Sequence, residues 1–272
     1  KTNSTQLSND SINALFEDSK GNIWIGTENG LNVLSASSDN WSVKQIHQLL
    51  GNSQSLSHNI VHAIIETDEH EIWVGTNGGG ISVFDLKGNF VRTIKYMALK
   101  NDSYLNKFVN ALFKDKQGDI WVGTVDKGLL RYSKNNKEFS LFEFDVNNDT
   151  SISSNTIHNV YQDFENNIWI ATDNGLSIYD RGSNKFERFN YSANNLYSVS
   201  SDYIMNFFED DTGMMWIGTN TGVNRWDPTM TTFRQYTGKG YPALNSPNIT
   251  SFSQASADSL FFSAYNGKIY QL

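Results

Sequence analysis

Ile23-Trp24-Ile25-Gly26-Thr27 decides the fold of this chain, because the phrase comes back four more times. It returns as Ile72-Trp73-Val74-Gly75-Thr76, Ile120-Trp121-Val122-Gly123-Thr124, Ile168-Trp169-Ile170-Ala171-Thr172 and Met215-Trp216-Ile217-Gly218-Thr219. A decayed copy, Leu260-Phe261-Phe262-Ser263-Ala264, closes the series. Successive Trp or Phe positions lie 49, 48, 48, 47 and 45 residues apart. One short β signature per 40–50 residues is the mark of a β-propeller.

The residues around the first copy supply the rest of a blade. Ile12 to Phe16 reads as a strand and Asp18-Ser19-Lys20-Gly21 as a hairpin turn, with Gly available for positive φ. Ile23 to Thr27 is the second strand. Asn29-Gly30 reads as a two-residue type I′ turn, which needs positive φ at both central residues. Leu31 to Leu34 and Trp41 to Ile46 follow as third and fourth strands. Four antiparallel strands per unit make a propeller blade. The second strand is apolar on both faces, as suits a sheet packed between two others, so the recurrent Trp is expected to be core.

The fold class expected is therefore all-β, a propeller of six consecutive four-stranded antiparallel blades. Blades fall at about 9–50, 58–99, 106–145, 154–192, 201–237 and 247–272 of a single domain 1–272, the last lacking its outer strand. Lys1 to Asn9 aligns with the later interblade linkers and is not expected to serve as a fourth strand. The reading is of a fragment of a longer protein, part of a seven-bladed propeller. A complete six-bladed ring is the alternative.

Bulk composition narrows the function classes. A net charge of −8 argues against a nucleic-acid or anionic-membrane surface, and no run of 18 apolar residues occurs. Cysteine is absent, which removes disulfides, thiolate metal sites and Cys nucleophiles together and fits periplasm or cytosol equally.

The run from Leu7 to Leu31, with Asn155 to Asp180 and Asp202 to Asp227 nearly as good, resembles the two-component regulator propeller repeat. That resemblance covers essentially the whole chain. It implies the extracytoplasmic, periplasmic sensor region of a membrane-bound hybrid two-component histidine kinase of Bacteroidetes, detecting glycan fragments and controlling polysaccharide-utilisation genes. It also implies partners within the same chain, namely further propeller blades and signalling domains.

The repeats act as an internal control. Positions that differ from blade to blade are free to serve a ligand. Fourteen residues before the Trp register stand Asp10, Asn59, Lys107, Asn155, Asp202 and Pro247; the next position holds Ser11, Ile60, Phe108, Thr156, Tyr203 and Asn248. Eleven before it stand Asn13, His62, Asn110, His158, Met205 and Thr250. All begin the innermost strand, near the expected channel mouth, together with the loops carrying Glu28, Asn77, Asp126, Lys127, Asp173, Asn220 and Tyr265. The ligand-binding candidates are Asp202, Tyr203, Asn155, His158, Lys107, His62 and Tyr265. The alternative for this ring is polar residues facing channel water and nothing more.

No catalytic residue, cofactor or metal is expected. His62 and His158 lack a carboxylate partner in the pattern. Glu17, Glu66 and Glu209 share a register at the far end of the inner strand, with nothing to mark one as acid and another as nucleophile. The function expected is a non-catalytic sensor that binds an oligosaccharide, with a homodimer possible through uncovered blade edges. A propeller-fold glycan lyase or hydrolase and a protein-interaction scaffold are the alternatives.

Overall fold

In four of the six blades a carboxylate organises the first turn. Asp18 Oδ1 accepts the backbone N–H groups of Lys20 and Asn22, both at 2.9 Å, and Gly21 takes φ 77° to close the turn. Asp115, Asp163 and Asp210 accept the N–H four residues on in the same way. The hairpin so formed pairs the inner strand Ile12–Glu17 with Ile23–Thr27, and the pattern recurs in every blade.

The second turn is a two-residue hairpin, but of a different kind from that expected. Thr27 pairs with Gly30, so the loop is Glu28-Asn29 and Gly30 opens the third strand at φ 124°. Neither loop residue has positive φ. The Thr27 hydroxyl sets the geometry instead, donating to the Gly30 carbonyl at 2.9 Å and accepting the Asn29 N–H. Thr172 and Thr219 do the same work in their blades.

The computed structural model describes residues 3–4, 6–36, 41–94, 108–230, 232–244, 247–256 and 259–272. These form six sheets: one of five strands, four of four and one of three. The fold is thus an all-β propeller with six antiparallel blades, in which every strand but the first, Asn3–Ser4, pairs with a sequence neighbour. Among the described residues the helical content is one short 3-10 turn, Pro242–Leu244, and no helix is long and apolar enough to cross a membrane. The sixth blade stops at three strands, as expected. The extra strand of blade 1 is Asn3–Ser4, which pairs outside Trp41–Ile46; the N-terminal segment, set aside as no fourth strand, supplies a fifth.

The chain divides into two compact units, Lys1–Leu141 and Phe142–Leu272. Within each, the core lies between successive blades. Trp24 packs on Ile64, Ile72 and Phe84 of blade 2, and Trp73 on Val109, Ile120 and Val122 of blade 3. In the second unit Trp169 packs on Ile204, Phe207 and Trp226, and Trp216 on Ile249, Leu260 and Phe262. A buried aromatic side chain removes about 150–250 Å² from water, on the order of 4–6 kcal/mol each as an upper bound. The five Trp are core, as expected. In blade 6 Phe261 holds the Trp register but is only half-buried, while Phe262 is the buried ring.

The glycine of the repeated phrase has a steric reason. A Cβ on Gly26 would sit 2.5 Å from Val61 Cγ1, and one on Gly75 would sit 2.6 Å from Val109 Cγ1. The next blade's inner strand starts against that bare backbone.

Candidate functional site

At the loop end of each blade the inner strand carries a β-bulge. Ile12 pairs with Thr27 and Ala14 with Gly26, leaving Asn13 as the extra residue. The same irregularity singles out His62, Asn110, His158, Met205 and Thr250. Bulges re-aim a side chain out of the pleat. The variable register eleven before the Trp is therefore a ring position in each blade whose direction is set by backbone, not by packing.

What these side chains meet differs by blade. Asn13 donates to Glu28 Oε1 at 2.8 Å and to the Val61 carbonyl of blade 2 at 3.2 Å. His158 Nδ1 lies 2.7 Å from the Ile204 carbonyl of blade 5. A carbonyl only accepts, so Nδ1 carries the proton and Nε2 is left as an acceptor when the ring is neutral. The Tyr203 ring stands 4.6 Å from that imidazole, tilted by 43°, and is 41% exposed. Burial, the largest influence, pushes the His62 imidazole below its ordinary value; Glu28 pulls it up and His58 pushes it down.

The register fourteen before the Trp has structural work. Asn155 Oδ1 accepts the Phe144 N–H at 2.7 Å, Asn59 Oδ1 the Gln48 N–H at 2.7 Å, and Asp202 Oδ1 the Tyr191 N–H at 2.7 Å. Each clamps the incoming linker eleven residues upstream. Asp202 Oδ1 also accepts from Asn190 Nδ2 at 3.1 Å. Asn155 and Asp202 thus hold loops, whatever else they touch. Tyr265 is 82% exposed in its hairpin loop. Lys107 lies outside the described residues. Of the expected candidates, the structure brings His158 and Tyr203 together.

At the opposite end, Glu66 and Glu209 tie blades together. Glu66 accepts the Ser19 N–H at 2.6 Å, the Ser19 hydroxyl at 2.7 Å and is 2.7 Å from His70 Nδ1. Glu209 accepts the Phe164 N–H at 2.9 Å. Burial pushes the Glu66 carboxyl up, but the bonds from His70 and Ser19 outweigh it and hold it below its ordinary value. Among the described residues no group of three His, Asp or Glu side chains could hold a metal ion.

Comparisons with known proteins agree with this layout. Residues 6–29, 55–78, 103–126, 151–174 and 198–221 match the two component regulator propeller family model. Each match runs from the linker through the inner strand into the loop after the recurrent Trp. No curated protein matches the chain. Among solved structures, the extracellular domains of two putative hybrid two component systems from B. thetaiotaomicron superpose with TM-scores of 0.73 and 0.75, each at 21% identity. They cover 98% and 100% of this chain, which spans 32% and 35% of theirs, about a third. Virginiamycin B lyase from Staphylococcus aureus follows at TM-score 0.66 and 12% identity, over 98% of this chain and 86% of that one. At such identities the likeness establishes the fold.

Proposed function

The chain carries five two component regulator propeller repeats, and from that premise we propose that it is the sensor propeller of a hybrid two-component signalling protein, lying in the periplasm. Its ligand is an oligosaccharide, bound at the loop end of the second unit and left intact. Parts of the protein beyond this propeller pass the signal on to polysaccharide-utilisation genes.

The observation that carries this reading is the pair His158 and Tyr203. A half-exposed tyrosine presents a flat face for the C–H side of a sugar ring, with its hydroxyl as a second handle. The imidazole beside it is held by the Ile204 carbonyl so that Nε2 can accept from a sugar hydroxyl. Preorganisation of this kind lowers the ordering cost of binding. Asn155 and Asp202, by clamping the adjoining linkers, fix the surroundings of the pair. Against a hydrolase, the Glu66 and Glu209 carboxylates that share a register are committed to blade-to-blade bonds at the far end.

Calorimetric titration with glycan digests, each followed by chromatography of the recovered sugar, tests the reading. Heat of binding with unchanged sugar is expected. Release of shortened or unsaturated product would establish an enzyme. No binding across the digests, with capture of a protein partner, would establish a scaffold.

A further inference from the structure

The loop end of the second unit also holds a cavity of about 550 Å³, within the range of small-ligand sites. Its walls are the linker from Tyr191 to Ser200, the hairpin loop Asn220-Thr221, and the end of the outer strand of blade 5 from Thr237 to Lys239. In a chain with 29 acidic and 21 basic residues, among the described residues no Asp or Glu lines this cavity and one cation, Lys239, does. A cavity of about 560 Å³ at the opposite end has the reverse lining, with Asp163, Glu165, Glu187 and Glu209.

Three features give the first cavity a chemistry. Asn220 stands in the cavity wall, and its side-chain oxygen meets no donor among the described residues. Gln235 is held in place, its Nε2 donating to the Ser198 carbonyl at 2.9 Å. Tyr191, partly exposed, is positioned by the bond from its backbone N–H to Asp202 Oδ1. Polar amides, hydroxyls, one aromatic face and one ammonium suit a sugar that carries a negative charge.

We propose that this cavity is a sugar subsite for a uronic acid unit. The carboxylate meets the Lys239 ammonium, ring hydroxyls meet the Asn220 side-chain amide, and the pyranose face lies against Tyr191. The subsite rests on the glycan-sensing reading and adds the ligand's class to it. Asp202 acts through Tyr191 as a positioning residue.

Calorimetry of the full chain with di- to tetrasaccharides of galacturonate, glucuronate and mannuronate, beside their carboxyl-reduced neutral counterparts, tests the assignment. At least one uronide is expected to bind roughly tenfold tighter than its reduced form, the ratio that one charge-assisted hydrogen bond supplies. Lys239→Gln should erase that preference, and Asn220→Ala should weaken both forms, with melting temperatures unchanged. Equal binding of uronide and reduced sugar overturns the subsite while glycan sensing stands. A preference that survives Lys239→Gln, or the failure of every uronide where a neutral digest binds, does the same. Failure of all glycans overturns both readings.

Discussion

The indole N–H of Trp24 donates to the carboxylate of Asp18, six residues earlier, at 2.8 Å inside the buried interface. Trp121 and Asp115 repeat the bond at 2.7 Å, Trp169 and Asp163 at 2.8 Å, and Trp216 and Asp210 at 2.7 Å. Blade 2 has Thr67 at the Asp position, and there Trp73 turns to Glu71 at a longer 3.3 Å. One carboxylate therefore closes the first turn and satisfies the one polar atom of the core tryptophan.

Replacing Asp18 by Ala should deprive the buried Trp24 indole N–H of its acceptor. A loss of about 1–3 kcal/mol is expected from urea denaturation, the cost of an unsatisfied buried donor. A stability like the parent's would mean that the bond contributes nothing net.

Trp121 is fully buried. Trp121→Ala should cost roughly 3–5 kcal/mol, the range for emptying a large aromatic site. Melting like the parent would remove the Trp from the core.

Gly75→Ala drives a methyl into Val109 and should cost about 1–3 kcal/mol through overpacking. The double variant Gly75→Ala, Val109→Ala should be less destabilised than the sum of the single changes. Simple additivity would locate the strain elsewhere.

Leu15 and Ile64 hold the same register, nine before the Trp, yet Leu15 is 66% exposed and Ile64 is 7% exposed. Ile64→Ala should cost about 2–5 kcal/mol and Leu15→Ala less than about 1 kcal/mol. Equal costs would mean that the blade 1 face is covered in solution, as a homodimer through that face would cover it.

Acid should weaken the fold in two stages. His62 is held below its ordinary value of 6.5, so the folded state binds fewer protons there and stability falls as pH drops below that value. Burial pushes Asp18 and Asp210 up, but hydrogen bonds from Trp24 and Asn22, and from Thr212 and Trp216, hold both below 3.8. Their contribution is complete above that value and is lost as pH falls through their lowered values. Melting temperatures across pH check this, and His62→Asn should abolish the upper stage alone.

The blade period was legible because a buried Trp between sheets is hard to replace, so the same phrase marks each repeat. The Asp–Trp bond was not, because Asp18 already has a full explanation as a turn residue. Variation at Asn59, Asn155 and Asp202 read as freedom to bind a ligand, yet all three carry the same δ-oxygen acceptor, and that shared chemistry was the overlooked sign of a clamp. The bulges at Asn13, His62 and His158 leave no residue-type signature and required coordinates. The cavity walled by Tyr191, Asn220 and Lys239 joins segments from three loops, and only Asn220 stood out in sequence.

Binding of a glycan digest to the parent and to Tyr203→Ala, followed by calorimetry with the melting temperature of each, tests the central claim most directly. Tyr203 is partly exposed and its ring lies on His158, so its loss should leave the fold intact. The account predicts that the parent binds sugar and returns it unaltered, and that Tyr203→Ala loses binding at an unchanged melting temperature. Undiminished binding by Tyr203→Ala, or cleavage of the sugar by the parent, would contradict it.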